Sequence, residues 1–387
     1  MDHSSSDTYS EIRRAVRRLC ADFGSDYWQK AQASGEYPEE FVQALTQSGW
    51  LAALIPVEYG GSGLSLAEAS VILEEVNRSG ANSGACHAQM YVMASLVRHG
   101  SATQKARYLP DIAAGRTRLQ SFAVTEPTTG SDTTKTKTTA TVRGDLYLVN
   151  GQKAWISRVE HSDLMVLLAR TTPSDQVARK TEGLSLFLVD LRDANSEQLS
   201  VRPIKNMVGH DTYEIFFSDF EIPRDSLIGT EGQGFRYLLD GLNAERILIA
   251  AECVGDGYWF TEKSVQYASE RVVFDRAIGM NQGVQFPIAS AYTRVRSADM
   301  MRFAAADLFD QGVQCGAEAN MAKYLAADAS WEAANACLQT HGGFGFATEY
   351  DVERKFRETR LYQVAPISTN LILSYVAERV LGLPRSY

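Results

Sequence analysis

The spacing of apolar residues changes twice along this 387-residue chain, and the change limits the folds open to it. Up to about residue 118, apolar residues recur at helical spacing, as Ile72, Leu73 and Val76 do. Short β-rich runs separated by turn residues follow, and the helical period returns after Gly232. This order disfavours a doubly wound fold, in which strands and helices alternate. The sequence therefore predicts an α+β protein.

We expect three regions that differ in their secondary structure. They are an N-terminal helical domain at 1–118, a middle antiparallel β domain at 119–228 and a C-terminal helical bundle at 229–387. In the last region, the helical period predicts helices near 235–269, 283–312, 316–341 and 368–381.

Local signals sharpen this outline. Ser65 followed by Glu68 predicts a capping box at the start of a helix. Asn150-Gly151 predicts the type I′ turn of a β-hairpin, because both central positions of that turn need positive φ. Strands are expected at Leu164–Ala169 and Leu184–Val189.

Composition narrows the partners and the location. A net charge of -9 disfavours nucleic acid and anionic membranes as main partners, so a small soluble substrate fits better. No apolar run approaches the ~20 residues that cross a bilayer, and Met1–Asp7 lacks the features of a signal peptide. We expect no membrane insertion and a cytoplasmic location. The five cysteines are scattered and the six histidines form no metal-type pair, so no metal site is expected.

Three short stretches could contact a polar or flat ligand. The loop Thr125–Asp132 concentrates hydroxyls, Trp155-Ile156-Ser157 sets an aromatic ring beside a hydroxyl, and Gln339–Gly345 ends a helix with glycines. Each has an ordinary alternative: a turn at a strand edge, a core tryptophan or a plain helix end. Neither Gln339–Gly345 nor Gly232-Gln233-Gly234 matches a Rossmann or P-loop pattern, and no G-x-S-x-G elbow occurs.

Glu245 is the most informative single residue. It lies on a predicted helix in a stripe with Leu238, Leu248 and Ile249, so a carboxylate stands among apolar side chains. Desolvation at such a position is expected to raise its pKa, as a general base working near neutral pH requires. A structural glutamate paired with a distant arginine is the alternative. Arg246 points elsewhere on the helix.

These segments, in this order, resemble the acyl-CoA dehydrogenase family over essentially the whole chain, beginning at Ile55–Gly61. The resemblance implies a helical domain, a middle β domain and a C-terminal four-helix bundle. It also implies a homotetramer, built as a dimer of dimers, with FAD shared between subunits.

The resemblance assigns residues to the cofactor and the substrate. The FAD-contacting residues it implies are Phe122, Val124, Thr125, Trp155, Ile156, Ser157, Arg271, Phe274, Gln282, Gln339, Gly342, Gly343, Ser368 and Asn370. The residues it implies for the coenzyme A moiety are Ser131, Asn243 and Arg246. Ser157 and Val273 stand where threonine is commoner; the Ser157 hydroxyl can still donate toward the flavin.

The catalytic base departs from the common pattern. Many members carry a glutamate near the C-terminus where this chain has Pro366. A subgroup that includes isovaleryl-CoA dehydrogenase has its base on the long helix before an arginine, as Glu245-Arg246 does here. Proline also lacks the N–H that polarises the thioester carbonyl in the family. Either Ile367 supplies that donor, or a flavin ribityl hydroxyl acts with less help.

The resemblance predicts α,β-dehydrogenation of an acyl-CoA to a trans-2-enoyl-CoA, with Glu245 as base and electron-transfer flavoprotein as electron acceptor. Two alternatives stay open. One keeps the fold but changes the reaction, as in a flavin oxidase or monooxygenase or a non-oxidative CoA-ester enzyme. The other is a catalytically silent acyl-CoA-binding protein, which Pro366 would suit.

Overall fold

The helices occupy both ends of the chain. The computed structural model describes residues 9–209 and 212–385, so the expectation for Met1–Asp7 and the histidines His3 and His210 lie outside the described residues. The α-helices within those ranges are α1 (Ser10–Cys20), α2 (Ser25–Ser34), α3 (Glu39–Gln47), α4 (Leu66–Arg78), α5 (Ala88–His99), α6 (Ala102–Ala113), α7 (Gly234–Glu270), α8 (Gln282–Asp310), α9 (Gly316–His341), α10 (Val352–Arg360) and α11 (Thr369–Tyr375).

The strands lie almost entirely in the middle of the chain. They are β1 (Leu119–Ala123), β2 (Thr139–Arg143), β3 (Leu146–Ser157), β4 (Leu164–Arg170), β5 (Leu184–Asp190), β6 (Leu199–Pro203), β7 (Thr212–Pro223), β8 (Leu227–Ile228), β9 (Val272–Val273) and β10 (Arg276–Ala277).

Eight strands form one sheet in the order β6-β7-β3-β2-β4-β5-β8, with β1 paired to β4. Most neighbours are antiparallel, as expected, but β1 runs parallel to β4, and β2 touches β4 in parallel through one residue pair. The sheet buries a core that includes Tyr147, Phe187 and Ile215. Buried and exposed residues alternate along parts of β3 and β7, whereas β4 is buried throughout and β5 almost throughout.

The chain divides into two compact units. One unit comprises Met1–Phe41, Ser65–Ser83 and Asn243–Tyr387, and its helices include α8 and α9, which pack along their lengths. The other comprises Val42–Leu64 and Gly84–Leu242 and contains the eight-stranded sheet with α5 and α6. The predicted site residues are distributed over both units.

The capping box predicted at α4 is confirmed. The Ser65 hydroxyl accepts a hydrogen bond from Glu68 N, and the Glu68 carboxylate accepts one from Ser65 N. The structure adds a distant cap, because the Asp310 carboxylate at the end of α8 accepts hydrogen bonds from Leu66 N and Ala67 N at 2.7 and 3.0 Å.

The predicted hairpin at Asn150-Gly151 is wrong. Both residues lie inside the continuous strand β3, and the turn between β2 and β3 is Gly144-Asp145 instead. The Asn150 side-chain amide donates to the Asp219 carboxylate of β7, and its oxygen accepts a hydrogen bond from Asp219 N, which holds Asn150 in the sheet. At Gly151, the pairing shifts register and a Cβ would meet Thr138 at 2.6 Å, so the glycine serves a bulge and a close approach.

The C-terminal helices differ from expectation in two places. The predicted helix at 368–381 is α11 followed by a π-helical turn at Val376–Val380, and α10 was not predicted. Within the described ranges, no helix combines the length and the apolar character that crossing a bilayer requires.

Candidate active site

A buried ion pair holds the end of β1 against β3. Lys153 on β3 donates to a Glu126 carboxylate oxygen at 3.0 Å and to Val124 O at 2.9 Å. The Glu126 carboxylate also accepts hydrogen bonds from Lys137 N and Thr138 N at 2.8 and 2.9 Å. Both charged side chains are buried, with Lys153 at 0% exposure. These hydrogen bonds therefore fix the start of the loop that begins at Thr125.

The pair shifts the pKa of both its members. Burial alone would raise the pKa of Glu126, but the Lys153 charge and the two amide donors outweigh it and hold that pKa below its usual value. Burial lowers the pKa of Lys153 to about 8, although the Glu126 carboxylate opposes this shift.

Trp155 on β3 faces outward in an unusual backbone conformation. Its φ is 62° and its side chain is 60% exposed, whereas its neighbours Ala154 and Ile156 are buried. Ala154 N donates to Thr125 O at 2.9 Å, which brings the Trp155 segment beside the loop after β1. A left-handed conformation costs a non-glycine residue roughly 1–2 kcal/mol. Backbone strain at a residue that exposes an aromatic ring is typical of functional sites.

The other sheet residues implied for the cofactor lie near Trp155 in sequence and structure. The backbone hydrogen bond from Ala154 joins Thr125 to the Trp155 segment. Four of the predicted residues in this unit are half-buried: Phe122, Val124, Thr125 and Ser157. Ser131, which is implied for coenzyme A, is exposed in the loop beyond the buried Glu126. The structure thus brings the sheet residues of the prediction to one region of this unit.

Glu245 lies in the other unit, on the long helix α7. Its side chain is buried, with 6% exposure, as the apolar stripe predicted. Asn243 and Arg246 lie within one turn of it, and Arg246 Nη1 donates to Asn243 Oδ1 at 3.0 Å. Burial lowers the pKa of Arg246, while the Glu245 charge raises it. One helical turn therefore carries a buried carboxylate and a guanidinium held by an amide.

A strained hairpin carries the next group of predicted residues. The turn between β9 and β10 is Phe274-Asp275, with φ of 53° and 61°, and the Phe274 side chain is 94% exposed. A two-residue turn with positive φ at both positions normally takes glycine or asparagine. Phe274 therefore has a strained backbone conformation, and its aromatic ring is directed to solvent.

The hairpin adjoins the glycine-rich end of α9. The Arg271 guanidinium lies 5.5 Å from the Phe344 ring centroid, and Phe344 belongs to the 3-10 turn at Gly342–Phe346. Gly342 has φ 57° and ψ -132°, a conformation that suits glycine. Two sets of residues predicted separately, Arg271 with Phe274 and Gln339 with Gly342 and Gly343, are thereby near one another. Gln282 is exposed at the start of α8.

Ser368, which the resemblance implies for FAD, also has a hydrogen-bond partner in the protein. Its hydroxyl accepts a hydrogen bond from Leu371 N and caps α11, while Asn370 is exposed in the first turn of that helix. Pro366, two residues earlier, is exposed.

Sequence reasoning missed the buried charges that hold these segments. Lys153 was overlooked because the bulge at Gly151 breaks the alternation by which its inward direction could be read. Lys323 on α9 is also fully buried and went unnoticed. The available signal was a single lysine in an alanine-rich stretch, Met321–Ala327, of a helix with many buried alanines.

A separate groove of about 900 Å³ is lined by residues of α1, α4, α7 and α8. Its walls mix aromatic side chains such as Tyr258, Tyr292 and Phe303 with charged ones such as Arg13 and Glu74. None of the predicted site residues is among those that line it.

Three domain families match the chain in order. They are the acyl-CoA dehydrogenase N-terminal domain at residues 6–116, the middle domain at 121–220 and the C-terminal domain at 232–381. Acyl-CoA dehydrogenase fadE12 of Mycobacterium bovis is 34% identical over 383 residues, which cover 97% of this chain and 96% of that protein.

Two further similarities extend over nearly the whole chain. Caffeyl-CoA reductase-Etf complex subunit CarC of Acetobacterium woodii is 30% identical over 363 residues, covering 92% of this chain and 94% of that protein. The solved glutaryl-coenzyme A dehydrogenase complex with glutaryl-CoA superimposes with a TM-score of 0.92 at 27% identity, covering 100% of this chain and 98% of that one.

A helical domain, a middle sheet and a second helical domain, in this order, are the architecture of a class of flavin-dependent oxidoreductases. This chain belongs to the acyl-CoA dehydrogenase family. The family is FAD-dependent. The predicted family and fold class are thus confirmed, whereas the subgroup with its base on the long helix stays a prediction.

Proposed function

We propose that this protein removes hydrogen from the α and β carbons of an acyl-CoA thioester, giving a trans-2-enoyl-CoA. The observation that carries the proposal is the Glu245 carboxylate, which is buried on α7 within one turn of the Arg246–Asn243 hydrogen bond. A base needs a desolvated carboxylate, and a coenzyme A ester needs a cation nearby. One turn of helix supplies both groups.

Glu245 accepts the α-proton in this proposal. Its burial keeps water from competing for the proton. Arg246 and Asn243 bind the coenzyme A moiety together with Ser131, and their mutual hydrogen bond fixes the guanidinium before substrate arrives. The acid form of Glu245 later returns its proton to solvent.

The residues fit FAD in two places. Trp155 and Phe274 expose aromatic rings from strained backbone, which suits a flat cofactor that covers them. Phe122, Val124, Thr125, Ile156 and Ser157 would hold its flavin part. The residues that would hold its dinucleotide part are Arg271, Phe274, Gln282, Gln339, Gly342, Gly343, Ser368 and Asn370. When bound, FAD supplies the acceptor for the hydride that leaves the β carbon.

We also propose a homotetramer and electron-transfer flavoprotein as the reoxidant. Support for self-association comes from α8, which exposes Phe286, Tyr292 and Met300 along a helix of 29 residues. Support for the reoxidant comes from the similarity to CarC, a subunit of the caffeyl-CoA reductase-Etf complex. The division into domains at residues 118 and 228 stays a prediction.

The test is an anaerobic bleaching screen with straight, branched and aromatic acyl-CoAs. We expect at least one of them to bleach the purified yellow protein, and Glu245→Gln to slow that bleaching by about 10³-fold or more, because a positioned base contributes about 10²–10⁴-fold. Glu262→Gln is the matched control, since Glu262 lies on the same helix with an exposed side chain.

The outcomes separate the alternatives. Normal bleaching of Glu245→Gln by the best substrate would remove the base assignment. Rapid reoxidation of the reduced protein by air would favour an oxidase or monooxygenase, and a yellow protein that no acyl-CoA bleaches would favour a silent binding protein.

A further inference from the structure

Lys323 of α9 is a fully buried lysine whose ammonium group holds two backbone carbonyls. Its Nζ donates to Tyr362 O at 2.5 Å and to Ile367 O at 2.8 Å. The two carbonyls flank the residues 363–366, which include Pro366. One side chain therefore fixes both ends of the segment in which proline has removed an N–H.

The same face of α9 also contacts Gln363 of this segment and Thr359 of α10, which precedes it. Ala327 O accepts a hydrogen bond from Gln363 Nε2 at 2.8 Å, and the Ser330 hydroxyl accepts one from Thr359 Oγ1 at 3.1 Å. Lys323, Ala327 and Ser330 are spaced by four and three residues, so they share one helical face. Lys323 is the contact nearest to Pro366 and the only charged one of the three.

Tyr362 links the segment to the helix of the proposed base. Its hydroxyl donates to Glu252 Oε2 of α7 at 3.0 Å and accepts a hydrogen bond from Asn77 at 3.2 Å. Glu252 lies seven residues after Glu245, which is about two helical turns, so both carboxylates project from the same face of α7. Lys323 and Tyr362 together tie the Pro366 segment to α7.

Burying a cation costs desolvation free energy, and Lys323 donates to two neutral carbonyls. A neutral donor would therefore serve a purely structural role equally well. Burial lowers the pKa of Lys323 to about 8, and the charges of Arg246 and Glu245 act on it as well. Both of these residues belong to the proposed site. Lys323 therefore lies in the electrostatic surroundings of the proposed base as well as under the Pro366 segment.

The Ile367 amide is the N–H that this arrangement positions. Ile367 is half-buried, and across residues 9–209 and 212–385 no group accepts a hydrogen bond from its N–H. Its own carbonyl is held by Lys323 on one side, and Ser368 begins α11 on the other. The peptide is thus fixed while its donor stays available.

We infer that Lys323 is a positioning residue for the reaction, which holds the Ile367 N–H where it donates to the thioester carbonyl in place of the N–H that Pro366 lacks. This inference rests on the proposed dehydrogenase function and names the donor that function needs. A fixed donor stabilises the negative charge that develops on the carbonyl oxygen as the α-proton leaves.

The experiment compares Lys323→Met with the wild-type holoenzyme, using whichever acyl-CoA bleaches the wild type fastest. Methionine keeps the length of the side chain and removes the donors. We expect kcat to fall by about 10²-fold, since a misplaced group of this kind can cost that much, with KM changed by less than about threefold. We also expect the isotope effect of α-deuterated substrate to rise, because α-proton removal becomes slower relative to the other steps.

Lys323→Gln and Thr359→Val complete the design. Glutamine restores neutral donors and should recover part of the lost kcat, while Thr359→Val removes a different hydrogen bond between the same elements and should leave the isotope effect unchanged. If Lys323→Met does not fold, Lys323→Gln is compared with the wild type instead, and a smaller fall in kcat with a smaller rise in the isotope effect is expected.

The readouts distinguish positioning from folding. A loss of folded protein lowers the active fraction but leaves KM and the isotope effect as they were. If the wild type reacts and both Lys323 variants keep its kcat and isotope effect, the inference is overturned and the proposed function stands. If no acyl-CoA bleaches the wild type, the proposed function itself falls, together with the inference built on it.

Discussion

Lys153 Nζ lies 3.0 Å from a Glu126 carboxylate oxygen, with both side chains buried in the sheet unit. Breaking a buried pair by removing one partner leaves an unpaired charge, at a cost of about 3–5 kcal/mol. We expect Lys153→Met to lower the free energy of unfolding by that amount in urea denaturation. Lys135→Met is the control, because Lys135 forms an exposed ion pair with Asp132. A loss as small as that of the control would contradict the structural role of the pair.

The stability difference between the wild type and Lys153→Met should also depend on pH. Burial lowers the pKa of Lys153 from 10.5 to about 8. Between those two values the unfolded chain binds more protons than the folded protein, so the contribution of Lys153 to stability rises with pH. The difference should widen by up to about 3 kcal/mol from pH 7.5 to pH 10, at about 1.4 kcal/mol per pKa unit. Urea denaturation at several pH values measures it, and a constant difference would show an unshifted lysine.

Trp155 is expected to reduce the stability of the apoprotein while supporting the cofactor. Glycine accepts φ 62° without strain, so Trp155→Gly should leave the unfolding free energy of the apoprotein unchanged or raise it by about 1 kcal/mol. The loss of an aromatic contact should weaken FAD binding by about tenfold. Trp155→Phe keeps the ring and should bind FAD nearly as the wild type does. Equal FAD affinity for the glycine and phenylalanine variants in a fluorescence titration would argue against contact with the flavin.

Phe274 offers a second test of whether backbone strain serves the binding of FAD. Asparagine tolerates positive φ, so Phe274→Asn should raise the unfolding free energy of the apoprotein by about 0.5–1 kcal/mol and lower the FAD content of the purified protein. Val272→Thr is the control, since Val272 is an exposed residue of the same hairpin outside its turn. A stabilised variant with full FAD content would mean that the exposed ring has another purpose.

Asp310 should matter to α4 as much as its own cap does. Asp310→Ala leaves the Leu66 and Ala67 N–H groups without their acceptor, which we expect to cost about 1–3 kcal/mol. Ser65→Ala should cost about 1 kcal/mol. Thermal unfolding of both single variants and the double variant measures the two caps. A neutral Asp310→Ala would show that water replaces the carboxylate at no cost.

The sequence allowed the local features to be predicted where the cause is local. The Ser65–Glu68 box needs only residues three apart, and the burial of Glu245 follows from the apolar spacing along its own helix. The hairpin at Asn150-Gly151 failed because a distant partner, Asp219, holds Asn150 in a strand. Turn propensity is a local preference, and a sheet ladder on both sides of the strand outweighs it.

The sequence by itself determined the order of helical and sheet regions, because the apolar period is written along the chain. Only the tertiary structure decided which groups satisfy the buried charges and carbonyls. Lys153 meets Glu126 across 27 residues, and Lys323 meets Ile367 across 44. No periodicity encodes such partners, since a polar group buried by packing takes whichever donor or acceptor the fold brings within hydrogen-bond distance.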